Sequence, residues 1–213
     1  MRAESISPDL LVEYVADAIA ALPSPGDQGV AVAVDGALPT RGGELAERVA
    51  VAVRLRGRAA VHVAAGDYLR PASLRYEFGR EDPDLFYEDW LDREAIEREV
   101  LKPIGLGGSG RVLPRLWDAR ADRAYRARYE SLGPGGVVLL DGPFLLAAGL
   151  TFDLSVHLSM SAAALARRTA GEDAWTLPAY VRYESEWDPV STADIAVRCD
   201  DPLRPALVIR DSG

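Results

Sequence analysis

The sequence predicts an α/β fold with a mostly parallel central sheet, because short apolar runs alternate with amphipathic helical patterns along the chain. Continuous apolar runs are typical of strands that are buried on both faces of a parallel sheet. The chain has 213 residues, and 48% of them are hydrophobic. This length and composition fit one domain with a sizeable core, so we expect a single domain over residues 1–213.

The first predicted element is a helix within residues 1–26. Ser7 followed by Pro8 is typical of a helix start. The apolar face of this helix is then formed by Leu11, Val15, Ala18, Ile19 and Leu22. The Pro-Ser-Pro-Gly sequence at residues 23–26 predicts its end.

Four apolar runs predict the buried parallel strands, at residues 30–34, 59–64, 136–140 and 152–158. Leu45, Val49 and Val53 mark the apolar face of a helix between the first two runs. A Gly-rich stretch at residues 105–110 predicts a surface loop.

Charge and cysteine content restrict the possible functions. The formal net charge of -9 argues against a nucleic-acid or anionic-membrane partner, since such partners are held by cationic patches. One cysteine, Cys199, leaves no internal disulfide, and two histidines leave few ligands for a metal site, so no metal site is predicted. The sequence shows neither a signal peptide nor an apolar run near the roughly 20 residues that span a bilayer. We therefore expect a cytoplasmic protein.

Three stretches carry a resemblance to a known family. Residues 136–146 read GVVLLDGPFLL, which resembles the strand and turn of the second acidic motif in uridine kinase-like P-loop kinases. RYEFGR at residues 75–80, with FYEDWLD at residues 86–92, is similar to the nucleoside-side insert of the bacterial branch. ADIAV at residues 193–197 and the Asp-Pro and Arg-Pro pairs that follow resemble the closing strands. The resemblance runs colinearly from about residue 30 to residue 208.

This resemblance implies a Rossmann-like three-layer fold with a nucleoside-side insert at residues 66–118 and a lid at residues 161–190. It also implies transfer of phosphate from ATP or GTP to the 5'-hydroxyl of a nucleoside, with Mg²⁺, and frequent homo-oligomers. Such transfer depends on groups that hold the phosphates and position the acceptor hydroxyl.

The predicted phosphate-binding turn lacks the side chains that the chemistry uses. A working loop reads G-x-x-x-x-G-K-[ST], whereas residues 36–43 read GALPTRGG. Lysine is replaced by Gly42, and Gly43 and Glu44 stand where hydroxyl residues are expected. The candidate phosphate-binding residues of this turn are Gly36, Thr40, Arg41, Gly42 and Gly43. An ordinary turn, a weakened anion site and a working loop all remain open.

The acceptor side also departs from the family pattern. The family reads D-x-F-x-R-P after the second strand, and Gly66 takes the place of its aspartate when Tyr68, Arg70 and Pro71 are aligned. Asp67 is a candidate catalytic replacement, or a turn residue. Asp141 stands at the second acidic motif as the other catalytic candidate, although Asp-Gly-Pro also forms a turn by itself.

The remaining candidates concern substrate and lid. The predicted substrate-binding residues are Tyr68, Arg70, Arg75, Asp89, Asp92 and Trp117; Trp117 could instead be core, and Asp92 a helix cap. Arg167 and Arg168 resemble lid arginines that close on phosphates, or are solvated helix charges.

The sequence therefore favours a kinase-derived protein that has lost efficient phosphoryl transfer and keeps a binding or regulatory role for a nucleoside-like or sugar-like molecule. A kinase with a rearranged site that uses Arg41, Asp67 and Asp141 is the enzyme alternative, and only this alternative needs ATP and Mg²⁺. A scaffold or oligomerisation subunit is the third hypothesis.

Overall fold

The computed structural model describes residues 2–23 and 26–210. The strands are β1 (Arg2–Ser5), β2 (Val30–Gly36), β3 (Ala60–Ala64), β4 (Arg111–Val112), β5 (Trp117–Asp118), β6 (Arg123–Ala124), β7 (Glu130–Ser131), β8 (Val137–Gly142), β9 (Leu154–Ser159), β10 (Ile195–Arg198) and β11 (Ala206–Ile209). The helices are α1 (Pro8–Ala21), α2 (Gly42–Leu55), α3 (Ala72–Arg75), α4 (Pro83–Glu88), α5 (Arg93–Ile96), α6 (Lys102–Ile104), α7 (Ala162–Arg168), α8 (Leu177–Trp187) and α9 (Pro189–Thr192). One π-helical turn, Glu97–Leu101, links α5 to α6.

The main sheet has seven strands in the order β1-β11-β10-β9-β2-β8-β3. The five strands from β10 to β3 pair in parallel, and β11 is antiparallel to both of its neighbours. The mostly parallel α/β sheet and the four buried strands predicted from the apolar runs are thus confirmed. In the sheet, β8 and β3 lie on one side of β2, whereas β9 and β10 lie on its other side. Ligands of such sheets bind where the strand order reverses, which here is the carboxyl end of β2.

Helices cover both faces of the sheet. Val15 of α1 and Val49 of α2 are fully buried against one face, where they pack with Val32 of β2. Ile96 of α5 and Val100 of the π-helical turn are fully buried against the other. The three layers expected from the resemblance are therefore present.

Helix α1 begins as predicted. The Ser7 Oγ accepts a hydrogen bond from the Leu10 amide at 3.2 Å, and Pro8 opens the first turn. Ser24 and Pro25, which belong to the predicted end of this helix, lie outside the described residues. None of the described helices is long and apolar enough to cross a membrane.

Candidate functional site

A cavity of about 580 Å³ lies at the carboxyl ends of β3 and β8. Helix α4 of the insert and helix α8 close it from the other side. Its lining residues are Leu38, Ala64, Ala65, Gly66, Leu69, Phe86, Tyr87, Glu88, Asp89, Trp90, Leu91, Arg93, Asp141, Gly142, Pro143, Phe144, Ala147, Ala148 and Arg182. Of the predicted catalytic and substrate residues, the structure brings only Asp141 and Asp89 to its wall.

Asp141 contacts a histidine that the sequence analysis did not identify. The Asp141 Oδ1 lies 2.5 Å from Nε2 of His62, and His62 Nδ1 lies 3.4 Å from Oε2 of Glu47. Burial lowers the pKa of His62, but the hydrogen bond to Asp141 and the charges of both carboxylates outweigh this effect and raise the pKa overall. His62 is therefore biased toward the protonated form, which fixes the orientation of Asp141 at the cavity.

The turn after β2 is closed on itself. The amides of Thr40 and Arg41 donate to the carbonyls of Ala37 and Leu38, at 2.9 and 3.1 Å. The Thr40 hydroxyl is buried and also donates to the Ala37 carbonyl, at 2.7 Å. These donors are thus used within the turn, rather than directed into an open concavity of the kind that binds anions.

Arg41 and the two glycines after it form the start of α2. Arg41 has a left-handed backbone with φ of 65°, and its guanidinium pairs with Glu44 at 2.5 Å. A Cβ added to Gly43 would lie 3.1 Å from Oδ2 of Asp141, so α2 begins directly beside this carboxylate. A phosphate role for Gly36, Thr40, Arg41, Gly42 and Gly43 stays a prediction.

Asp67 and Tyr68 point away from the cavity, while Gly66 lines it. The Asp67 carboxylate pairs with Arg115 at 2.9 Å. Tyr68 is fully buried in the core, where its hydroxyl donates to the Leu113 carbonyl and burial raises its pKa. The one-residue offset between Gly66 and Asp67 therefore directs the carboxylate to the other side of the turn.

The predicted substrate residues are spread over several environments. Arg70 pairs with Asp89 at 3.1 Å beside the cavity. Arg75 is buried, and its guanidinium donates to the carbonyls of Arg70 and Ala119 at 2.7 and 3.1 Å. This network holds the insert together.

Asp92 and Trp117 lie away from the cavity wall. The Asp92 carboxylate caps α5 by accepting from the Ala95 amide at 3.0 Å. The Trp117 indole donates to Asp122 at 3.2 Å. In this structure both side chains stabilise local turns.

Within residues 161–190, the predicted lid, the two candidate arginines and a third one lie in different places. Arg167 and Arg168 are exposed at the end of α7, and Arg168 donates to the Asp200 carbonyl at 2.9 Å. Arg182 of α8 lines the cavity instead, and its guanidinium pairs with Asp84, Glu88 and Glu186 at 3.0, 2.7 and 2.7 Å. The pairs with Asp84 and Glu88 join α8 to α4.

An aromatic cluster reinforces this contact between insert and lid. Phe86 of α4 packs edge-to-face on Trp90, Phe144 and Tyr180, with ring centroids 5.2, 5.2 and 5.9 Å apart. Trp90 also contacts Trp175, at 5.4 Å. The cluster gives the cavity an aromatic wall.

A second group of polar residues is buried behind the turn. The Asp35 Oδ2 lies 2.6 Å from Nδ1 of His157, and the Tyr183 hydroxyl donates to the same oxygen at 2.8 Å. Burial lowers the pKa of His157, but its hydrogen bond to Asp35 and the nearby carboxylate of Glu184 outweigh this and raise the pKa to about 9. This group was not predicted; its one signal in the sequence was an aspartate at the end of an apolar run.

No group of three or more His, Cys, Asp or Glu side chains that could hold a metal ion occurs within residues 2–23 and 26–210.

Comparison with known proteins identifies the fold. No protein-family model matches the sequence, and no curated protein matches it. The structure of a possible uridine kinase from Bacillus stearothermophilus is similar over 87% of this chain and 96% of that chain, with a TM-score of 0.69 and 18% identity. A putative fructose transport system kinase from Silicibacter sp. TM1040 matches over 84% and 95%, with a TM-score of 0.57 and 19% identity.

A third structure, D-glycerate 3-kinase from Cryptococcus neoformans var. grubii, matches over 84% of this chain and 80% of that chain, with a TM-score of 0.51 and 12% identity. These identities are too low to carry a substrate from one protein to another, but all three structures share one arrangement of strands and helices with this chain. The chain therefore has the fold of the uridine kinase-like and related P-loop kinases.

Proposed function

We propose that the protein is a degenerate uridine kinase-like protein that binds a nucleoside-like or sugar-like molecule in the 580 Å³ cavity without efficient transfer of phosphate from ATP. The observation that carries this proposal is the contrast between two neighbouring features. The turn over residues 36–43 is closed by its own hydrogen bonds, whereas the acceptor-side cavity is open and lined by aromatic and carboxylate groups.

The turn does not fit the phosphates of a nucleotide with Mg²⁺. Two of its amide donors are used by Ala37 and Leu38, and Gly42 and Gly43 offer neither an ammonium group nor a hydroxyl group. Arg41 could supply a positive charge, but its guanidinium pairs with Glu44. A charge-assisted hydrogen bond to phosphate typically contributes about 1.5 to 3 kcal/mol. The missing lysine contact alone thus weakens phosphate binding by at least an order of magnitude.

The cavity fits a molecule that carries several hydroxyl groups. Its polar wall includes the carboxylates of Glu88, Asp89 and Asp141, which accept hydrogen bonds from ligand hydroxyls. Its apolar wall includes Phe86 and Trp90, whose rings can pack on a base or on the face of a sugar. A volume of about 580 Å³ is within the range of small-molecule sites.

One observation favours the enzyme alternative. The Asp141 carboxylate lines the cavity and also lies beside the start of α2, and His62 holds its orientation. A ligand hydroxyl next to Asp141 could be positioned, and its proton accepted, by this carboxylate. ATP with Mg²⁺ would supply the phosphoryl group and the charge neutralisation in such a reaction.

The test is a calorimetric titration with uridine and with ribose, followed by an assay for ADP release from MgATP in the presence of each. We expect binding of one or both without ADP release, because the phosphate side lacks its charged groups. Asp89→Ala should weaken binding by about tenfold, since one hydrogen bond to a charged group is lost. Glu94→Ala, an exposed change on α5, is the matched control.

Two outcomes would contradict the proposal. ADP release that depends on uridine or ribose would establish the kinase alternative. Absence of binding to either compound, in a protein that remains folded, would favour the scaffold hypothesis.

A further inference from the structure

A second, smaller cavity lies between the turn after β2 and the lid. Its volume is about 300 Å³, and it shares Phe144 of its wall with the 580 Å³ cavity. Gly36 and Ala37 of the turn form one side, and His157 and Glu184 form its polar part. Ligand binding in this cavity is therefore a proposal that does not depend on the proposed function.

The imidazole of His157 presents an unused donor to this cavity. The His157 side chain is only 2% exposed, and its Nδ1 is occupied by Asp35. Its Nε2 has no hydrogen-bond partner among the described residues. A buried polar atom without a partner is costly, so an unpaired atom of this kind points to a missing partner.

Glu184 defines where that partner would sit. Its Oε1 lies 3.5 Å from Nε2 of His157, and its side chain is 45% exposed, so it stands where the cavity reaches solvent. The separation is at the outer limit for a direct hydrogen bond. A hydroxyl oxygen near both atoms could accept from His157 and donate to Glu184 at the same time.

The charges around the cavity select against anions. Asp35 and Glu184 are carboxylates, and His157 is the one cation among the described residues that line the cavity; the raised pKa of His157 keeps it protonated at neutral pH. Among the described lining residues there is no arginine or lysine. The net local charge of one negative unit therefore opposes phosphate and carboxylate ligands.

The rest of the wall is apolar. It is formed mainly by Phe144, Leu158, Met160, Leu165 and Val181. A cavity of about 150 Å³ with such a lining is large enough for a benzene ring, so about 300 Å³ leaves room for a substituted ring. The site thus combines an apolar cavity with one hydrogen-bond donor, His157 Nε2, and one acceptor, Glu184 Oε1.

We propose that this cavity is a binding site for a small, uncharged, mostly apolar molecule with one hydroxyl group, an alcohol or a phenol, whose oxygen bridges His157 and Glu184. The ligand would contact the turn and α8 together and would stabilise the lid against the sheet.

Phenol and toluene are the probes that test this site, because they differ mainly in a hydroxyl against a methyl group. The chain contains two histidines, so nitrogen-15 imidazole spectra report on His157 with His62 as the internal reference outside this cavity. We expect phenol to shift the Nε2 signal of His157 and to bind at least about tenfold more tightly than toluene, since it gains a hydrogen bond to a charged group.

Glu184→Ala removes the acceptor for the hydroxyl and should weaken phenol binding about tenfold while leaving toluene binding unchanged. Glu172→Ala removes an exposed carboxylate that does not line the cavity and should change neither. Glu184 lies on the partly exposed side of α8, so we expect Glu184→Ala to fold. This variant therefore tests the site even if substitution of His157 prevents folding.

Equal binding of phenol and toluene would overturn the proposal, as would the absence of any shift of the His157 signal with phenol. A shift of the His157 signal by inorganic phosphate in place of phenol would also overturn it and would identify an anion site.

Discussion

The carboxylate of Asp35 and the imidazole of His157 form an ion pair that is closed off from solvent between neighbouring strands. Asp35 and His157 are paired residues in the register of β2 and β9, and their Oδ2 and Nδ1 atoms are 2.6 Å apart. The second oxygen of Asp35 accepts from the Leu145 amide at 2.8 Å, and Tyr183 of α8 donates to the first. One fully buried carboxylate therefore connects β2, β9, the turn after β8 and the lid.

Asp35→Asn should lower the free energy of unfolding by about 3 to 5 kcal/mol, because it leaves the buried imidazolium without its charged partner. Urea unfolding followed by circular dichroism measures this loss. Asp9→Asn is the matched control, since its ion pair with Arg48 is on the surface and Asp9 is 91% exposed; its effect should stay within about 1 kcal/mol. A loss for Asp35→Asn as small as that of the control would contradict the importance of the buried pair.

Stability should depend on pH through His157. Its pKa in the folded protein is about 9, above the ordinary value of 6.5, so the folded state binds this proton more tightly than the unfolded state does. The contribution of protonated His157 to the free energy of unfolding is therefore complete below about pH 6.5 and is lost as the pH rises to about 9. Asp35, Glu184 and Tyr183 are the ionisable groups that contact the ring or its partner.

The measurement is the free energy of unfolding between pH 6 and 10, for the protein and for His157→Gln. The difference between the two should shrink by up to about 1.4 kcal/mol per pH unit across the window from 6.5 to 9. A difference that stays constant with pH would show that the pKa of His157 is not raised in the folded state, and would contradict the account.

Two glycines at the site should respond differently to alanine. A Cβ at Gly36, where φ is +156°, would lie 2.8 Å from the Leu158 carbonyl oxygen and 2.9 Å from the Thr40 Oγ1. Gly36→Ala should therefore cost about 1 to 3 kcal/mol. A Cβ at Gly66 has nothing within 4 Å, so Gly66→Ala should stay within about 1 kcal/mol. Thermal or urea unfolding of the two variants compares them, and equal effects would contradict the tight packing at Gly36.

The sheet could be predicted from the sequence because the central strands are buried on both faces. The residues of β2 and β8 form continuous apolar runs for this reason, and Ser7 with Pro8 gives a local signal for α1. Strand β1 could not be predicted, since its four residues are exposed and its pairing is with β11 at the other end of the chain.

The polar site could be predicted only in part. Asp141 was identified because a motif marks it, but its partner His62 comes from β3 and is 79 residues away in the sequence. Asp35 and His157 are 122 residues apart, and only the register of β2 and β9 brings them together. Arg75 shows the opposite case. A motif marks it as a substrate residue, but its guanidinium is bound to backbone carbonyls within the fold.

Restoring the phosphate loop should recover nucleotide binding. The combined change Arg41→Gly, Gly42→Lys and Gly43→Thr removes the left-handed arginine, supplies an ammonium group and places a hydroxyl group beside Asp141. Calorimetry should then detect MgATP binding, while turnover should also require Gly66→Asp to position the acceptor. A restored loop that still binds no nucleotide, in a folded variant, would favour the scaffold hypothesis.

The central proposal is that the turn over residues 36–43 does not serve a nucleotide. Calorimetric titration of the unmodified protein with ATP, with and without Mg²⁺, tests it most directly. We expect weak binding or none, with little dependence on Mg²⁺, because the turn uses two of its amide donors internally and lacks lysine and a metal-binding hydroxyl. Tight ATP binding that requires Mg²⁺ would contradict the account, and loss of that binding in Arg41→Ala would identify a rearranged kinase site.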